Sequence, residues 1–238
     1  MYNPLETKSP SPKVSAKYSM IDSGQFVADM QANGLTLRSQ KGSSRSPYGK
    51  HAMRFDTGLK LPSGDILEIV AKNSHDGTCA FQLTLGIYRL VCSNGLVVGK
   101  SLVEIVPIRH IGYTAAKVNT AVEQLLTQKD KVYETVAKLQ TTELTAEQET
   151  AFLKAALEIR GITNCNGAEN SWLVGNRRQE DKGNTAWLVF NRVQEHLTRG
   201  FKYVSTDNRL VTARRISAVE RDININKQLF DAIVKIAA

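Results

Sequence analysis

The stretch of residues 65–107 constrains the fold more than any other part of the chain, because it is the richest in apolar and β-branched side chains. Two short polar segments divide it: residues 73–77 are Asn-Ser-His-Asp-Gly, and residues 93–95 are Ser-Asn-Gly. Asn, Asp and Gly tolerate positive φ angles and are typical of chain reversals between strands. The stretch therefore predicts strands joined by tight turns, which form the core of one domain.

Within this stretch, apolar and polar side chains alternate over residues 81–88, as in a strand with one buried face. Toward the end of the alternation a second interpretation is open. Ile87, Leu90 and Val91 also fit one face of a short helix, which the Asn-Gly pair at 94–95 would end. The sequence alone does not decide between strand and helix at this point.

Periodic apolar side chains elsewhere in the chain predict helices. Ser23 is a candidate N-cap for the first of them, and Thr145 with Gln148 forms a capping box at the start of another. A basic segment, residues 201–217, predicts a hairpin that turns at Asp207 and Asn208. We expect helices over residues 23–33, 113–140, 145–160, 184–198 (capped by Asn184 or Thr185) and 226–236.

Together these elements predict an α+β fold, in which a small, largely antiparallel sheet is followed by a long helix and a mostly helical C-terminal half. We expect a single domain over residues 18–238, sheet-rich over 35–110 and helix-rich over 113–238. Residues 1–17 hold three prolines among serines and lysines and predict a disordered basic arm.

The composition limits the partners and the compartment. The chain of 238 residues carries a formal net charge of +8 and has a pI near 9.4, which favours a polyanionic partner. No apolar run approaches the roughly 18 residues that cross a bilayer, so we expect no membrane partner. Cys79, Cys92 and Cys165 lie too far apart for a disulfide framework or a zinc pattern. A cytoplasmic, reducing location is expected.

Signatures of catalysis and cofactor binding are weak. Residues 95–101 (GLVVGKS) resemble a phosphate-binding P-loop but are one residue short of its spacing. The four histidines show no metal-ligand spacing: His75 is expected to hydrogen-bond locally in a turn, and His196 to be a cation at a helix C-terminus. Cys92 lies in an apolar run, where burial makes a thiol unreactive. We expect no catalytic residue, no cofactor and no metal.

Three segments resemble one family. Residues 73–98 (NSHDGTCAFQLTLGIYRLVCSNGLVV), residues 184–195 (NTAWLVFNRVQE) and the Thr-Ala-Arg-Arg at 212–215 are similar to the motifs of domain of unknown function 932. Members of that family occur in phages, plasmids and integrated elements. The resemblance implies this genomic setting and no particular chemistry. The outline of a hairpin sheet followed by a long helix is also similar to that of phage single-strand annealing recombinases, an analogy at the level of fold alone.

Nucleic-acid binding is the function with positive support in the sequence. Cations that track phosphates, placed beside aromatic rings on which bases stack, are the requirements for binding a single strand. Such residues cluster in the predicted hairpin, and further cations that could extend the surface lie in residues 38–54 and in the long loop at 161–183. The predicted nucleic-acid-binding residues are Arg38, Lys41, Arg45, Lys50, Arg177, Arg178, Arg199, Lys202, Tyr203, Arg209, Arg214 and Arg215.

Two alternatives stay open. Phe201 and Tyr203 could be core residues, with the arginines paired to Asp207, Glu220 and Asp222. The whole chain could instead be a protein-interaction module that inhibits a host defence or replication factor. The leading prediction is a phage- or plasmid-type protein that binds single-stranded DNA, and anneals it as a homo-oligomer, during replication or recombination.

Overall fold

The core of the molecule is an antiparallel sheet in which the first four strands are neighbours in sequence order. The computed structural model describes residues 2–89, 94–167 and 172–238. The fourth strand is longer than its later neighbours, so its two halves pair with different strands, β5 beside one half and β6 beside the other. The strands are β1 (Thr36–Lys41), β2 (His51–Lys60), β3 (Ile66–Asn73), β4 (Phe81–Arg89), β5 (Asn94–Val97) and β6 (Val106–Ile108).

Strand alternation gives the sheet two unlike faces. Phe55, Ile69 and Leu85 pair across three adjacent strands and belong to the main hydrophobic core. The ring of Phe26 packs edge-on against Phe55, with 5.6 Å between ring centroids, and so joins the first helix to this face. The opposite face carries charged residues, among them Arg54 and Glu68. It is on this polar face that the candidate site lies.

Six α-helices, three short 3-10 helices and a second, two-stranded sheet complete the described part of the chain. Phe190 and Phe230 meet edge-on at 5.7 Å, which joins the fifth helix to the sixth inside the core. The helices are α1 (Ser23–Ala32), α2 (Ala115–Leu126), α3 (Lys129–Thr141), α4 (Ala146–Arg160), α5 (Ala186–Arg199) and α6 (Val219–Ile236). The small sheet consists of β7 (Gly200–Val204) and β8 (Leu210–Arg214).

The α+β prediction is confirmed, and so are several local signals. Thr145 and Gln148 form the predicted capping box, and Gly161 ends α4 in the left-handed conformation at φ 78°. Thr185 caps α5 through its side chain. In the β7–β8 turn, Asn208 adopts a positive φ of 58°.

Three predicted helix boundaries are wrong. Asp22, not Ser23, caps α1, because its carboxylate accepts the amides of Gly24 and Gln25. The single helix predicted over residues 113–140 is two helices, α2 and α3. The last helix begins at Val219, seven residues before the predicted start, because its first turns bury apolar side chains against the polar face of the sheet.

The strand interpretation of the central stretch holds as far as Arg89, and residues 94–97 form β5 instead of ending a helix. Leu90, Val91 and Cys92 lie outside the described residues. Gly95 is placed opposite Tyr88 in the β4–β5 ladder. The Asn-Gly pair therefore belongs to a strand that helps to build the polar face.

The N-terminal segment differs from the disordered arm predicted for residues 1–17. From residue 2 onward it packs on the protein: Ser11 is buried and donates its amide to the carbonyl of His75 at 2.9 Å. The hydroxyl of Thr7 donates to the carbonyl of Pro47 at 3.0 Å. Contacts with distant loops order this segment, and its own composition does not predict those contacts. Among the helices of the described residues, none is both long enough and apolar enough to cross a membrane.

Candidate nucleic-acid interface

A basic cleft of about 660 Å³ opens on the polar face of the sheet, where α5, α6 and the residues after β8 approach it. Five cationic side chains line it, together with the ring of Tyr88 and the carboxylate of Asp222. These cations come from two strands, one helix and one connecting segment. They are Arg38, Lys41, Arg54, Arg199 and Arg215.

Glu68 lies beneath the basic cleft, in contact with two of its arginines, and is fully buried. Its Oε2 accepts a hydrogen bond from Nη1 of Arg54 at 3.0 Å, and its Oε1 lies 3.3 Å from Nε of Arg38 in an ion pair. Burial raises the pKa of the Glu68 carboxyl, and the two arginines oppose that rise. Arg38 also pairs with Asp56, and its guanidinium carbon lies 4.1 Å from the ring centroid of Tyr88.

Two glycines make room for Arg54. Its guanidinium donates to the carbonyl of Gly95 at 3.1 Å and to that of Leu96 at 3.3 Å. A Cβ atom on Gly95 would lie 2.3 Å from Nη1 of Arg54, and one on Gly86 would lie 2.8 Å from the carbonyl oxygen of Leu96. A side chain at position 95 would collide with Arg54 itself, and one at position 86 would collide with the Leu96 carbonyl that Arg54 binds. The glycines of the central stretch therefore serve the site as well as the turns.

The α5 side of the cleft rests on a second buried carboxylate. Glu195, 2% exposed, accepts two hydrogen bonds from Arg178, at 3.1 and 3.3 Å, and pairs with Arg199 at 3.1 Å. Arg199 reaches the cleft, whereas Arg178 stays behind it. Arg177 donates to the carbonyl of Gly200 at 2.6 Å and holds the end of α5. Of these three predicted residues, the cleft contains one.

The first turns of α6 hold two of the predicted lysines. Lys41 pairs with Asp222 at 3.1 Å, and Lys50 pairs with Glu220, which also lies 3.7 Å from Lys72. The bond to Glu220 raises the pKa of Lys50 and lowers that of Glu220. Lys41 still lines the cleft, but Lys50 serves to fasten α6 to the sheet.

The remaining predicted cations lie on the surface. Lys202, Arg209 and Arg214 are exposed on the β7–β8 hairpin, where Arg209 pairs with Asp207 at 3.0 Å. Lys202 pairs with Thr212 across the ladder and Arg214 with Gly200, so both cations share its outer face. Arg45 is exposed at the tip of the loop between β1 and β2. The hairpin thus presents a separate basic surface outside the cleft.

Tyr203 is not a stacking platform. It is 6% exposed, belongs to the main core beside Phe201, and donates its hydroxyl to Oδ1 of Asn164 at 3.2 Å. Side chains alternate along β7, so Phe201 and Tyr203 face the core while Lys202 between them faces outward. Its burial contradicts the stacking role predicted for Tyr203, and the aromatic ring that lines the cleft is that of Tyr88.

Sequence reasoning missed Tyr88 as a site residue, and it placed Arg54 only at the end of a possible extension of the basic surface. Both face the same side of the sheet, since Arg54 pairs with Val70, which pairs with Thr84, four residues before Tyr88. A signal was present: a charged residue in the middle of an apolar strand needs a buried partner. Arg54 in β2 and Glu68 in β3 were such a pair, readable once the two strands are taken as neighbours.

A second polar cluster is buried beneath the N-terminal segment. The hydroxyl of Ser23 lies 3.1 Å from Nε2 of His75 and 3.4 Å from Nε2 of His51, and all three residues are at most 1% exposed. Nδ1 of His51 lies 3.2 Å from the carbonyl oxygen of Gly49 and must donate to it, so its Nε2 accepts from Ser23. His75 then donates Nε2–H to Ser23. The expectation of a local turn bond for His75 is wrong.

Burial lowers the pKa of His51 and lowers that of His75 to about 4, so both rings are neutral at pH 7. His196 is neutral as well: Arg177 donates to its Nδ1 at 3.1 Å, and its Nε2 donates to the carbonyl of Gly175 at 2.7 Å. The expected helix-end cation is absent there. In the described parts of the chain, no group of three His, Cys, Asp or Glu side chains could hold a metal ion.

The glycine of the P-loop-like segment has a packing role. A Cβ atom on Gly99 would lie 1.8 Å from Oδ1 of Asp231, so the strand end can approach α6 only without a side chain. Asp231 also accepts the hydroxyl and the amide of Ser101. The segment after Gly99 is a turn that leads to β6, with no helix whose amides could face a phosphate.

Comparisons with known proteins agree with the resemblance in the motifs. The family model described as domain of unknown function (DUF932) matches residues 12–230. The UPF0380 proteins YafZ and YfjQ of Escherichia coli (strain K12) are each 29% identical over 222 residues, covering 91% of this chain and 81% of theirs. No solved structure matches the chain significantly.

Proposed function

The chain belongs to the DUF932 family, and we propose that it binds single-stranded nucleic acid in the basic cleft on the polar face of its sheet. The observation that supports this is the convergence of Arg38, Arg54 and Arg199 on one cleft that also holds the ring of Tyr88. Each arginine comes from a different element, so the cations are brought together by the fold itself. Phosphates attract such a surface, and guanidinium planes and aromatic rings are platforms for unpaired bases.

The lining is cationic by a clear margin. It holds five positive side chains against one negative, Asp222, among the described residues that surround it. The acids behind the lining, Glu68 and Glu195, are buried and cannot meet a ligand directly. A polyanion that enters the cleft therefore contacts donors on several sides, which is the arrangement of a charge-assisted phosphate site.

The size of the cleft favours one strand over two. A volume of about 660 Å³ lies within the range of small-ligand sites, about 300–1,000 Å³. A flexible single strand can place a few nucleotides in such a space, whereas a rigid duplex would lie across its mouth. We propose DNA strands exposed during phage or plasmid replication or recombination as the ligands. Annealing would follow if copies of the chain assemble as a homo-oligomer and hold strands side by side.

The adjacent arginines Arg214 and Arg215 provide a matched test. Arg215 lines the cleft and Arg214 lies on the outer face of the hairpin, so each change to Gln removes one charge at neighbouring positions. Fluorescence anisotropy of labelled oligothymidylate should show micromolar or tighter affinity of the wild type at low salt. The slope of log affinity against log salt should be about −3.5 for five phosphate contacts. R215Q should weaken binding by about 1 kcal/mol and flatten that slope by about 0.7.

R214Q should leave both the affinity and the slope nearly unchanged. Equal losses in the two variants would move the binding surface from the cleft to the hairpin. A wild-type protein that shows no binding at low salt, or binding without salt dependence, would end the proposal.

A second candidate function is an interaction module that inhibits a host protein, and the β8 strand favours it. On the side away from β7, no described strand pairs with β8, and Leu210 at its start is 58% exposed. An exposed strand edge accepts an extended segment of another protein, and Lys202 and Arg214 on this hairpin would suit an acidic one. Protection of the β8 amides from hydrogen exchange by polyglutamate, together with no protection by oligothymidylate, would favour this function.

A further inference from the structure

Glu68 needs a physical account, since by charge alone it opposes the proposed function. It is a fully buried carboxylate directly beneath the basic cleft, and a negative charge there reduces the attraction for a polyanion. Burying a carboxylate is also costly unless cations pair with it. Its contacts are with Arg54 at 3.0 Å and Arg38 at 3.3 Å, both of which line the cleft.

Both arginines project from the sheet itself, Arg38 from β1 and Arg54 from β2. Free arginine side chains sample many rotamers and lose that freedom when they bind a ligand. Here Glu68 holds Arg54 from below, and the carbonyls of Gly95 and Leu96 hold it from the β5 side. Arg38 is held by Glu68, by Asp56 and by the ring of Tyr88. Their guanidinium groups are thus fixed in the floor of the cleft before a ligand arrives.

We propose that Glu68 is a positioning residue of the phosphate site, and that it strengthens anion binding by fixing Arg38 and Arg54 although its own charge opposes the anion. The inference rests on the proposed function and deepens it, because it assigns the phosphodiester contact to the floor of the cleft. A site that is rigid before binding loses less conformational freedom when the ligand is captured.

The decisive comparison is between two acids of the same cleft. Asp222 lines it and has no arginine of the floor as its partner, so D222N removes a repelling charge and should tighten binding of oligothymidylate about twofold to fivefold. E68Q removes an equal charge and keeps the side-chain volume. Electrostatics alone predicts that it also tightens binding; positioning predicts that it weakens binding about fivefold to tenfold, the scale of one net hydrogen bond. Tighter binding by E68Q would overturn the inference.

A second variant disturbs the same arginine without touching the carboxylate. In G95A the new Cβ would lie 2.3 Å from Nη1 of Arg54 and must displace it, while the φ angle of Gly95 is one that alanine can adopt. G95A should therefore weaken strand binding as E68Q does. A thermal melt of each variant shows whether it folds. If E68Q does not fold, the binding affinity of G95A tests the inference instead. Unchanged affinity in a folded G95A would contradict the inference.

Side-chain NMR separates the failure of this inference from the failure of the proposed function. In the free wild-type protein, the guanidinium N–H signals of Arg54 should be resolved and slow to exchange with water, because their donors are bonded to Glu68, Gly95 and Leu96. In E68Q they should broaden or exchange faster. If they persist in E68Q, Glu68 does not position Arg54. If the Arg54 signals broaden in E68Q but neither the wild type nor any variant binds a strand, Glu68 does position Arg54 and the proposed ligand is wrong.

Discussion

At the scale of single residues, the direction of a side chain decides whether it can serve the site. Tyr203 and Tyr88 are both aromatic residues in basic surroundings, yet Tyr203 packs in the core and Tyr88 lines the basic cleft. The same holds for Arg214 and Arg215, neighbours in the chain that face different surfaces. Charge and aromaticity along the sequence therefore identify candidate residue types, and burial selects among them.

Replacing each tyrosine tests this distinction. Tyr203→Ala should lower the free energy of unfolding by about 3–5 kcal/mol, as expected for truncating a large buried aromatic side chain. Tyr203→Phe should cost only about 1 kcal/mol, the worth of its hydrogen bond to Asn164, and should leave strand affinity unchanged. Tyr88→Leu should weaken single-strand binding by about 1–3 kcal/mol and duplex binding much less, because only unpaired bases can stack. Denaturant titrations and anisotropy give the two quantities.

The outcome that would contradict this assignment is specific. If Tyr203→Phe reduced strand affinity while its unfolding free energy stayed close to that of the wild type, the hydroxyl of Tyr203 would have to reach the ligand. If Tyr88→Leu left single-strand binding unchanged, the cleft would bind the phosphates without stacking.

At the scale of secondary-structure elements, apolar periodicity identifies helical segments and does not fix where they break. The stripe over residues 113–140 is continuous, and its members Val118, Leu125 and Val132 are all fully buried. Even so, the chain breaks after Thr127, and the side-chain oxygen of Gln128 accepts the amide of Glu104 at 2.7 Å. The one predicted helix is thus two helices that share a stripe, and a contact from a distant loop lies at the break between them.

The sixth helix shows the opposite error. Residues 219–225 hold only three apolar side chains among charged and polar ones, too few to show a helical period in a local analysis. Val219 and Ile223, four residues apart, pack with Val70 and Val97 on the polar face of the sheet. Glu220 and Asp222 pair with three lysines, one in β1, one just before β2 and one in β3. The helix therefore starts early because the sheet stabilises its first two turns.

At the scale of the whole molecule, three buried neutral histidines couple folding to pH. His51, His75 and His196 are each 7% exposed or less, and burial lowers the pKa of all three. The unfolded chain takes up protons as the pH falls below about 6.5, whereas the folded chain resists until the pH approaches the lowered values. Stability should therefore be complete above pH 6.5 and decrease as the pH falls from there toward 4.

The contribution of His75 can be isolated. The pKa of His75 falls to about 4 in the folded protein, so its protonation affects stability between pH 6.5 and 4. Over that range the free energy of unfolding should fall by at most about 3 kcal/mol because of His75. Protonation would also place a donor on Nδ1, which has no hydrogen-bond partner and is buried. Urea titrations at several pH values should show this slope in the wild type and a flatter one in His75→Gln. A slope that His75→Gln does not change would mean that His75 titrates normally in the folded protein.

The sequence by itself determined the α+β class, the antiparallel strands, the capping box at Thr145 and the hairpin turn at Asn208. These follow from interactions between residues a few positions apart, whose periodicity and φ preferences are written locally. Only the tertiary structure decided that Arg38, Arg54, Arg199 and Arg215 share one cleft, that Tyr203 is buried, and that the N-terminal segment is packed. Those outcomes depend on contacts such as Lys41 with Asp222, 181 positions apart, and no local pattern records which distant acid or ring a side chain will meet.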